Sequence, residues 1–426
     1  MENKLLKTVG KGYFLAVAFL MYFFIYEMVN AFGGITYRHI LSLVLFASTF
    51  VYFLVKPNLA RGVATVKPTL VYCLPMLVIV TVSLLIWFST QVDTDVMLRG
   101  ISNVFIFINM LSATLAAISF LYVFGEKGIW YNLIVILASN LLMLFESIME
   151  YGLGTFMSQF VSVLTSFGMV GGAAIGRAEI HELAFCLGAY LLYMLLKPQK
   201  KVTFFVLLAL TGFCFIAAFK RIAIIAVIAS LLIGWGLLWI AKYHKKTSRA
   251  LTILIAVLAM IGLEAYIVCI KLDMFDLLEK IGIETMGRAK VYNLVDPFYS
   301  FSPEFIGHGM GFLNYYRINN PNVLVISLHN DFLQFFIELG FWGYILWLSA
   351  LLLIRVCFFS RKGKVENGIV CLCLCLYLAI VSLTDNTMHY PLVTTTLAII
   401  MIGHNFDKEV RDTEEKVFGS ISRENL

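Results

Sequence analysis

About twelve stretches of roughly 20 apolar residues, separated by short polar links, dominate this chain. A backbone carried into lipid must satisfy its own hydrogen bonds, and runs of this length do so as helices. The stretches centre on residues 13–30, 40–55, 68–88, 101–124, 129–149, 182–196, 202–219, 222–240, 251–270, 330–354, 367–383 and 389–405. The composition agrees: 61% of the 426 residues are hydrophobic, 14% are charged, and mean hydropathy is +0.89. A water-soluble domain of this size cannot carry that balance. The expected fold is therefore all-α, a polytopic integral membrane protein of about twelve spans forming a single transmembrane domain over residues 1–426. The polar stretch Met1–Lys11 precedes an apolar run longer than a signal-peptide core, without a small-residue cleavage pattern, so it is expected to be retained.

Loop cations set the orientation. With the N-terminus in the cytosol, the inner segments hold Lys4, Lys7 and Lys11; Lys56, Arg61 and Lys67; Lys127; Lys197, Lys200 and Lys201; Lys242, Lys245, Lys246 and Arg249; Arg355, Arg361, Lys362 and Lys364; and Lys408, Arg411, Lys416 and Arg423. These are most of the 32 Lys and Arg, although the outer segments are longer, so the positive-inside rule predicts both termini in the cytosol. The same placement accounts for the net charge of +6 without a nucleic-acid partner. The eight cysteines lie in or beside apolar runs and predict neither a disulfide framework nor a redox centre. Two long segments, 150–181 and 271–328, are expected outside.

Polar residues gather in and around the second of these, the long extracytoplasmic loop 271–328. Residues 275–283 have helical spacing of apolar positions. Arg288 and Lys290 follow in GRAKVYN, and Gly307, Gly309 and Gly311 mark a turn-rich piece in which the backbone is free to bend or approach closely. The chain then re-enters the bilayer as SLHNDFLQFFIELGFWG. His329 or Asn330 stands where an N-cap is expected, Asp331 lies in the first turn, and Glu338 continues into the span. His329 is thus expected at the end of a rigid helix, where its imidazole can take part in proton transfer. Lys220-Arg221 forms an outer turn between two short spans, where topology gives a cation pair no reason to be. Glu27, Glu146, Glu182, Glu264 and Asp385 fall near the outer ends of their spans and point to a polar cavity there. Asp93-Thr94-Asp95 is either a solvated loop or two ligands of a divalent metal; two carboxylates without a third ligand favour the former, and no metal is expected.

The order of four pieces resembles the O-antigen ligase and Wzy-type polysaccharide polymerase family of bacterial envelope enzymes: GRAEIHELAFCLGAYL with Arg177, FKRIAIIAVIA with Arg221, GRAKVYN followed by GHGMGFLNYY with Arg288, and LHNDFLQFFIELGFWG with His329. The resemblance covers residues 170–405. The chain departs from it at Lys220, where a serine is usual, and at His181-Glu182, where an Asn-Pro pair is usual. The resemblance implies a class C-like glycosyltransferase of the bacterial inner membrane. Such an enzyme moves a glycan from a polyprenyl diphosphate carrier to a sugar hydroxyl on the extracytoplasmic face, without cofactor or metal. A diphosphate leaves as an anion and needs charge neutralisation, which suits Arg221 and Arg288. The acceptor hydroxyl must lose a proton, and His329 is the expected base. Arg177 is expected as a third cation or an acceptor contact, with Lys220, Lys290, Asn330 and Asp331 also binding substrate. Polymerisation of O-antigen or capsular repeat units is the leading expectation, with a chain-length regulator as a further partner. Ligation of the finished chain to lipid A core is the alternative within enzymes. A polysaccharide flippase is the alternative outside them, although a transporter should place its polar groups at the bilayer midplane.

Overall fold

The computed structural model describes residues 2–23, 30–32, 35–90, 97, 105–166, 181–282, 285, 287–320, 328–361 and 364–418. In chain order its helices are α1 (Glu2–Phe23), α2 (Tyr37–Val55), α3 (Leu59–Thr90), α4 (Phe105–Phe124), α5 (Lys127–Tyr151), α6 (Leu153–Thr165), α7 (His181–Leu196), α8 (Val202–Ala218), α9 (Arg221–Tyr243), α10 (Lys245–Lys271), α11 (Met274–Lys280), α12 (Arg288–Val295), α13 (Phe312–Asn319), α14 (Asp331–Leu348), α15 (Arg355–Phe359), α16 (Val365–Ser382), α17 (Pro391–Gly403) and α18 (Phe406–Phe418). A short antiparallel ladder pairs β1 (Asn30–Phe32) with β2 (Ile35–Thr36) between α1 and α2. The regular structure among the described residues is otherwise helical, and each of the twelve predicted apolar stretches carries a helix.

Seven helices among the described residues are long and apolar enough to cross a membrane: α2, α3, α5, α9, α10, the run from α14 through α15, and α16. Shorter apolar helices of 10–17 residues fill the other predicted stretches. One lies where a loop is expected. α6 occupies the segment 150–181, and its 13 residues, set off by Gly152 at φ 80°, are too few for the length criterion of a span. A second difference concerns Arg355, predicted as a loop cation. A π-helical turn over Ser349–Ile354 joins α14 to α15 without a break, so Arg355 lies inside a helical run. It is buried, with its guanidinium 4.3 Å from the centre of the Tyr72 ring and donating to the Tyr72 carbonyl.

The chain divides into two compact units. The first takes Met1–Leu70, Ile108–Trp235 and Tyr390–Leu426. Its centre is α7 with α17, helices apolar all round and buried along their lengths. Buried polar groups fix how these helices meet: the Tyr22 hydroxyl donates to Asn132 at 2.8 Å, and the Asn132 amide donates to Tyr190 Oη at 2.8 Å. Arg38 Nη1 donates to both Glu182 carboxylate oxygens, at 2.8 and 2.9 Å, and both side chains are buried. In lipid such bonds hold helices together where apolar contact alone discriminates poorly.

The second unit takes Val71–Phe107 and Gly236–His389, and therefore the whole 271–328 segment. Its most enclosed helix is α16, nine-tenths buried along its apolar window. The 271–328 segment is structured where it is described. α11 occupies the predicted helical stretch, and Lys271 pins the turn after α12 by donating to Asp296 Oδ1 at 2.7 Å and to the Asp296 and Tyr299 carbonyls at 2.9 and 3.0 Å. Large apolar side chains on α9 and α10, such as Leu232, Trp239 and Ile261, stand exposed, as a lipid-facing surface requires.

Candidate functional site

The start of α14 is the hub of the second unit. Asn330 has the extended backbone of an N-cap, and its Oδ1 accepts from Leu333 N at 3.1 Å, satisfying one of the free N–H groups of the first turn. Its amide nitrogen donates to the hydroxyls of Tyr266 and Tyr292, each at 3.1 Å, and the Tyr266 hydroxyl in turn donates to the Leu383 carbonyl at 3.1 Å. One fully buried side chain thus ties α14 to α10, to α12 and to the segment after α16. Asp331 does the same work at the next position. Its carboxylate sits in the first turn, where the helix dipole favours negative charge, and accepts from Met388 N and His389 Nδ1, both at 2.9 Å.

Two catalytically suited groups hang from this hub. His329 precedes the cap with a left-handed φ of 47°, a conformation that a non-glycine residue holds only where its surroundings impose it. Its side chain is 46% exposed, and Nδ1 lies 3.8 Å from the buried Asp385 carboxylate. Arg288 opens α12 after Gly287, itself left-handed at φ 76°. Its Nη2 donates to the Thr384 carbonyl at 3.1 Å, while its Nε, buried, has no hydrogen-bond partner among the described residues. Thr384 and Asp385 are adjacent, and Tyr292, one turn beyond Arg288, is the residue that Asn330 holds. Arg288, His329 and Asp385 are therefore gathered by short bonded links at one end of the unit. An anion-binding guanidinium and a half-exposed imidazole with a carboxylate behind it can bind a phosphate and accept a proton.

No protein-family model, curated protein or solved structure matches the chain.

The same end of the unit holds a second carboxylate–imidazole pair, Asp331 with His389. Burial works against the charged form of His389, but the Asp331 hydrogen bond, the Asp331 charge and the Glu338 charge outweigh it and raise the imidazole above its ordinary value. The ring also stacks parallel to Phe335 at 6.1 Å. His389 does not figure among the residues picked from sequence. Its signal is the polar interruption TDNTMHY between two apolar runs, in which Asp385 and His389 stand four residues apart.

The glycine-rich piece packs against the broken middle of α14. α14 breaks at Gly340 (φ 70°, ψ −179°), which frees the carbonyls of Ile337 and Glu338. His308 N and Gly309 N donate to those carbonyls at 3.2 and 2.7 Å, and Phe341 N donates back to the Phe305 carbonyl at 2.8 Å. Gly307 (φ 90°) and Gly340 meet backbone to backbone, with no room for a Cβ on either. Met310 N then donates to Ser83 Oγ at 2.9 Å, fixing the loop to α3. The broken helix keeps its hydrogen bonds because the loop supplies the missing partners.

Lys290 is exposed on α12. Lys220 and Arg221 belong to the first unit, at the tight turn between α8 and α9, where Phe219 takes a left-handed φ of 38° and Arg221 is exposed. Glu182 is neutralised by Arg38. Arg177, Glu27, Asp93 and Asp95 lie outside the described residues.

Proposed function

We propose that the protein is a membrane glycosyltransferase that polymerises polyprenyl-diphosphate-linked repeat units of an O-antigen or capsular polysaccharide. In this reading the chain crosses the bacterial inner membrane about twelve times, with both termini in the cytosol and α11 to α13 on the extracytoplasmic face. The observation that carries it is the gathering of Arg288, His329 and Asp385 on three separate segments, through the Asn330 network and the Thr384 carbonyl. The four motif pieces that resemble the polymerase and ligase family support the same reading.

The chemistry is a displacement at an anomeric carbon. The acceptor sugar hydroxyl attacks that carbon, the bond from it to the diphosphate oxygen breaks, and the polyprenyl diphosphate departs as an anion. The hydroxyl proton passes to the ring nitrogen of His329 not turned toward Asp385, whose carboxylate stabilises the resulting imidazolium. Arg288 receives the leaving diphosphate. A guanidinium stays charged throughout and offers several N–H donors, and its bond to Thr384 holds its plane in place. Lys290, exposed two positions after Arg288 on α12, adds a further cation for the diphosphate, and the isoprenoid tails remain in the bilayer. No cofactor is required.

The test is glycan length in cells. His329→Ala and Arg288→Ala are expected to leave protein abundance in the membrane unchanged while long glycan disappears and single repeat units accumulate. Normal chain length in both variants would overturn the assignment. Long chains retained on the carrier would instead indicate a ligase, and units trapped on the cytosolic face a flippase.

A further inference from the structure

The first unit contains a charged cavity that the transfer reaction does not use. Its volume is about 490 Å3, within the range of small-ligand sites, and its lining includes Lys11, Lys56, Arg61, Lys127, Tyr122 and Asp407. Four cations face a single carboxylate. The positions share one membrane face by connectivity. Lys11 lies in the N-terminal half of α1, Lys56 just beyond α2, Arg61 in the first turn of α3, Tyr122 at the end of α4, and Lys127 at the start of α5. In a chain that traverses the bilayer back and forth, beginnings of odd spans and ends of even ones lie on the same side. Asp407, directly after the last apolar helix, joins them.

The walls are built, not incidental. Arg61 Nη1 donates to the Tyr122 carbonyl at 3.0 Å, and Asn58 N donates to the Tyr122 hydroxyl at 3.0 Å. Asp407 Oδ1 accepts from Glu126 N at 3.2 Å beneath Gly125, whose φ of 64° and lack of a side chain leave room for that carboxylate and for Arg61. Lys11 Nζ lies 5.7 Å from the centre of the Phe124 ring. Lys56 and Lys127 are exposed at the mouth of the cavity, and their ammonium groups have no hydrogen-bond or ion-pair partner among the described residues. Uncompensated cations around a preformed space at a helix-end plane call for an anion. Tyr52, Val123 and Phe124 give the same cavity an apolar side, and Val51, Leu54, Val55 and Leu59, which adjoin the lining residues in sequence, are exposed.

We propose that this cavity binds the phosphate of an anionic phospholipid from the surrounding leaflet. The shared chemistry is a phosphate anion; the exposed apolar residues beside the cavity assign it to a lipid, whose acyl chains they can cover.

The experiment uses the full chain, purified in detergent and stripped of lipid, with unfolding temperature read against added phosphatidylglycerol, phosphatidylcholine or inorganic phosphate. Phosphatidylglycerol is expected to raise the unfolding temperature, with little response to the other two. Lys56→Gln combined with Lys127→Gln is expected to weaken the apparent affinity by roughly 10-fold or more, whereas Lys245→Gln with Lys246→Gln, an equal loss of charge elsewhere, keeps it. An unchanged response in the cavity variant, an equal loss in the control variant, or an equal response to phosphatidylcholine would overturn the proposal. So would an equal response to inorganic phosphate, which would make the ligand a soluble anion. If the glutamine pair lowers stability without lipid, Lys56→Arg with Lys127→Arg must retain the lipid response, and its loss there would count equally against the proposal.

Discussion

At the level of single residues, the candidate site separates groups that act from groups that hold. Arg288 has one N–H committed to Thr384 and the others directed elsewhere, so its planar fork matters as much as its charge. Arg288→Lys is expected to cut glycan synthesis by ~10-fold or more at unchanged protein level, measured as polymer formed by purified enzyme in vesicles. Asn330 is a holding residue. Asn330→Ala removes a cap and leaves the buried Tyr292 hydroxyl and the half-buried Tyr266 hydroxyl short of a donor, so a loss of about 2 kcal/mol in thermal unfolding is expected. Burial is also the main cause that pushes the Tyr292 phenol above its ordinary value, so it remains protonated and able to bond at every working pH. For His389 the sign follows from a raised value in the fold. Its pairing with Asp331 stabilises fully below the ordinary imidazole value of 6.5 and is lost as pH climbs through the higher folded value. Unfolding temperature should therefore fall as pH rises above 6.5, and His389→Gln should flatten that slope. A slope unchanged in the variant would assign the effect to another group.

Among the elements, α14 and the loop that docks on it show what a sequence tells and what it withholds. The acid at Asp331 and the apolar run behind it are local patterns that were legible, and the cap was legible to within one residue, His329 or Asn330. The break at Gly340 was not, because a glycine within an apolar run of helical length looks like any small residue; its meaning comes from the Phe305–Met310 backbone some thirty residues earlier in the chain. His389 stayed hidden for a related reason: its partner, Asp331, is 58 residues away. Arg355 misled because a cation at the end of an apolar run normally marks a loop, and here Tyr72 gives it a buried place. α6 was missed because its apolar run is shorter than a span. The Gly307–Gly340 contact yields a controlled comparison. Gly282 has a similar φ of 85° with nothing within 4 Å of a Cβ, so Gly282→Ala carries only the conformational penalty of about 1 kcal/mol. Gly307→Ala adds a collision with the backbone of α14 and is expected to cost about 3 kcal/mol or more in the same unfolding assay.

For the molecule as a whole, the proposed reaction depends on which side of the membrane the second unit's loop occupies. Glu304 and Lys200 are both exposed, and the proposed topology puts them on opposite faces. In whole cells, Glu304→Cys should react with an impermeant maleimide at once and Lys200→Cys only after permeabilisation; the reverse pattern would place the candidate site in the cytosol and reject extracytoplasmic transfer. The interlock at Gly340 carries a last consequence, for biogenesis. A nascent helix interrupted there reaches the translocon with naked carbonyls, and in the proposed topology the loop that covers them has been exported ahead of it. Under that topology, insertion of this span and folding of the preceding segment must finish as one event. Truncation within that segment should leave the helix that follows it poorly retained in the bilayer and open to quality-control proteases.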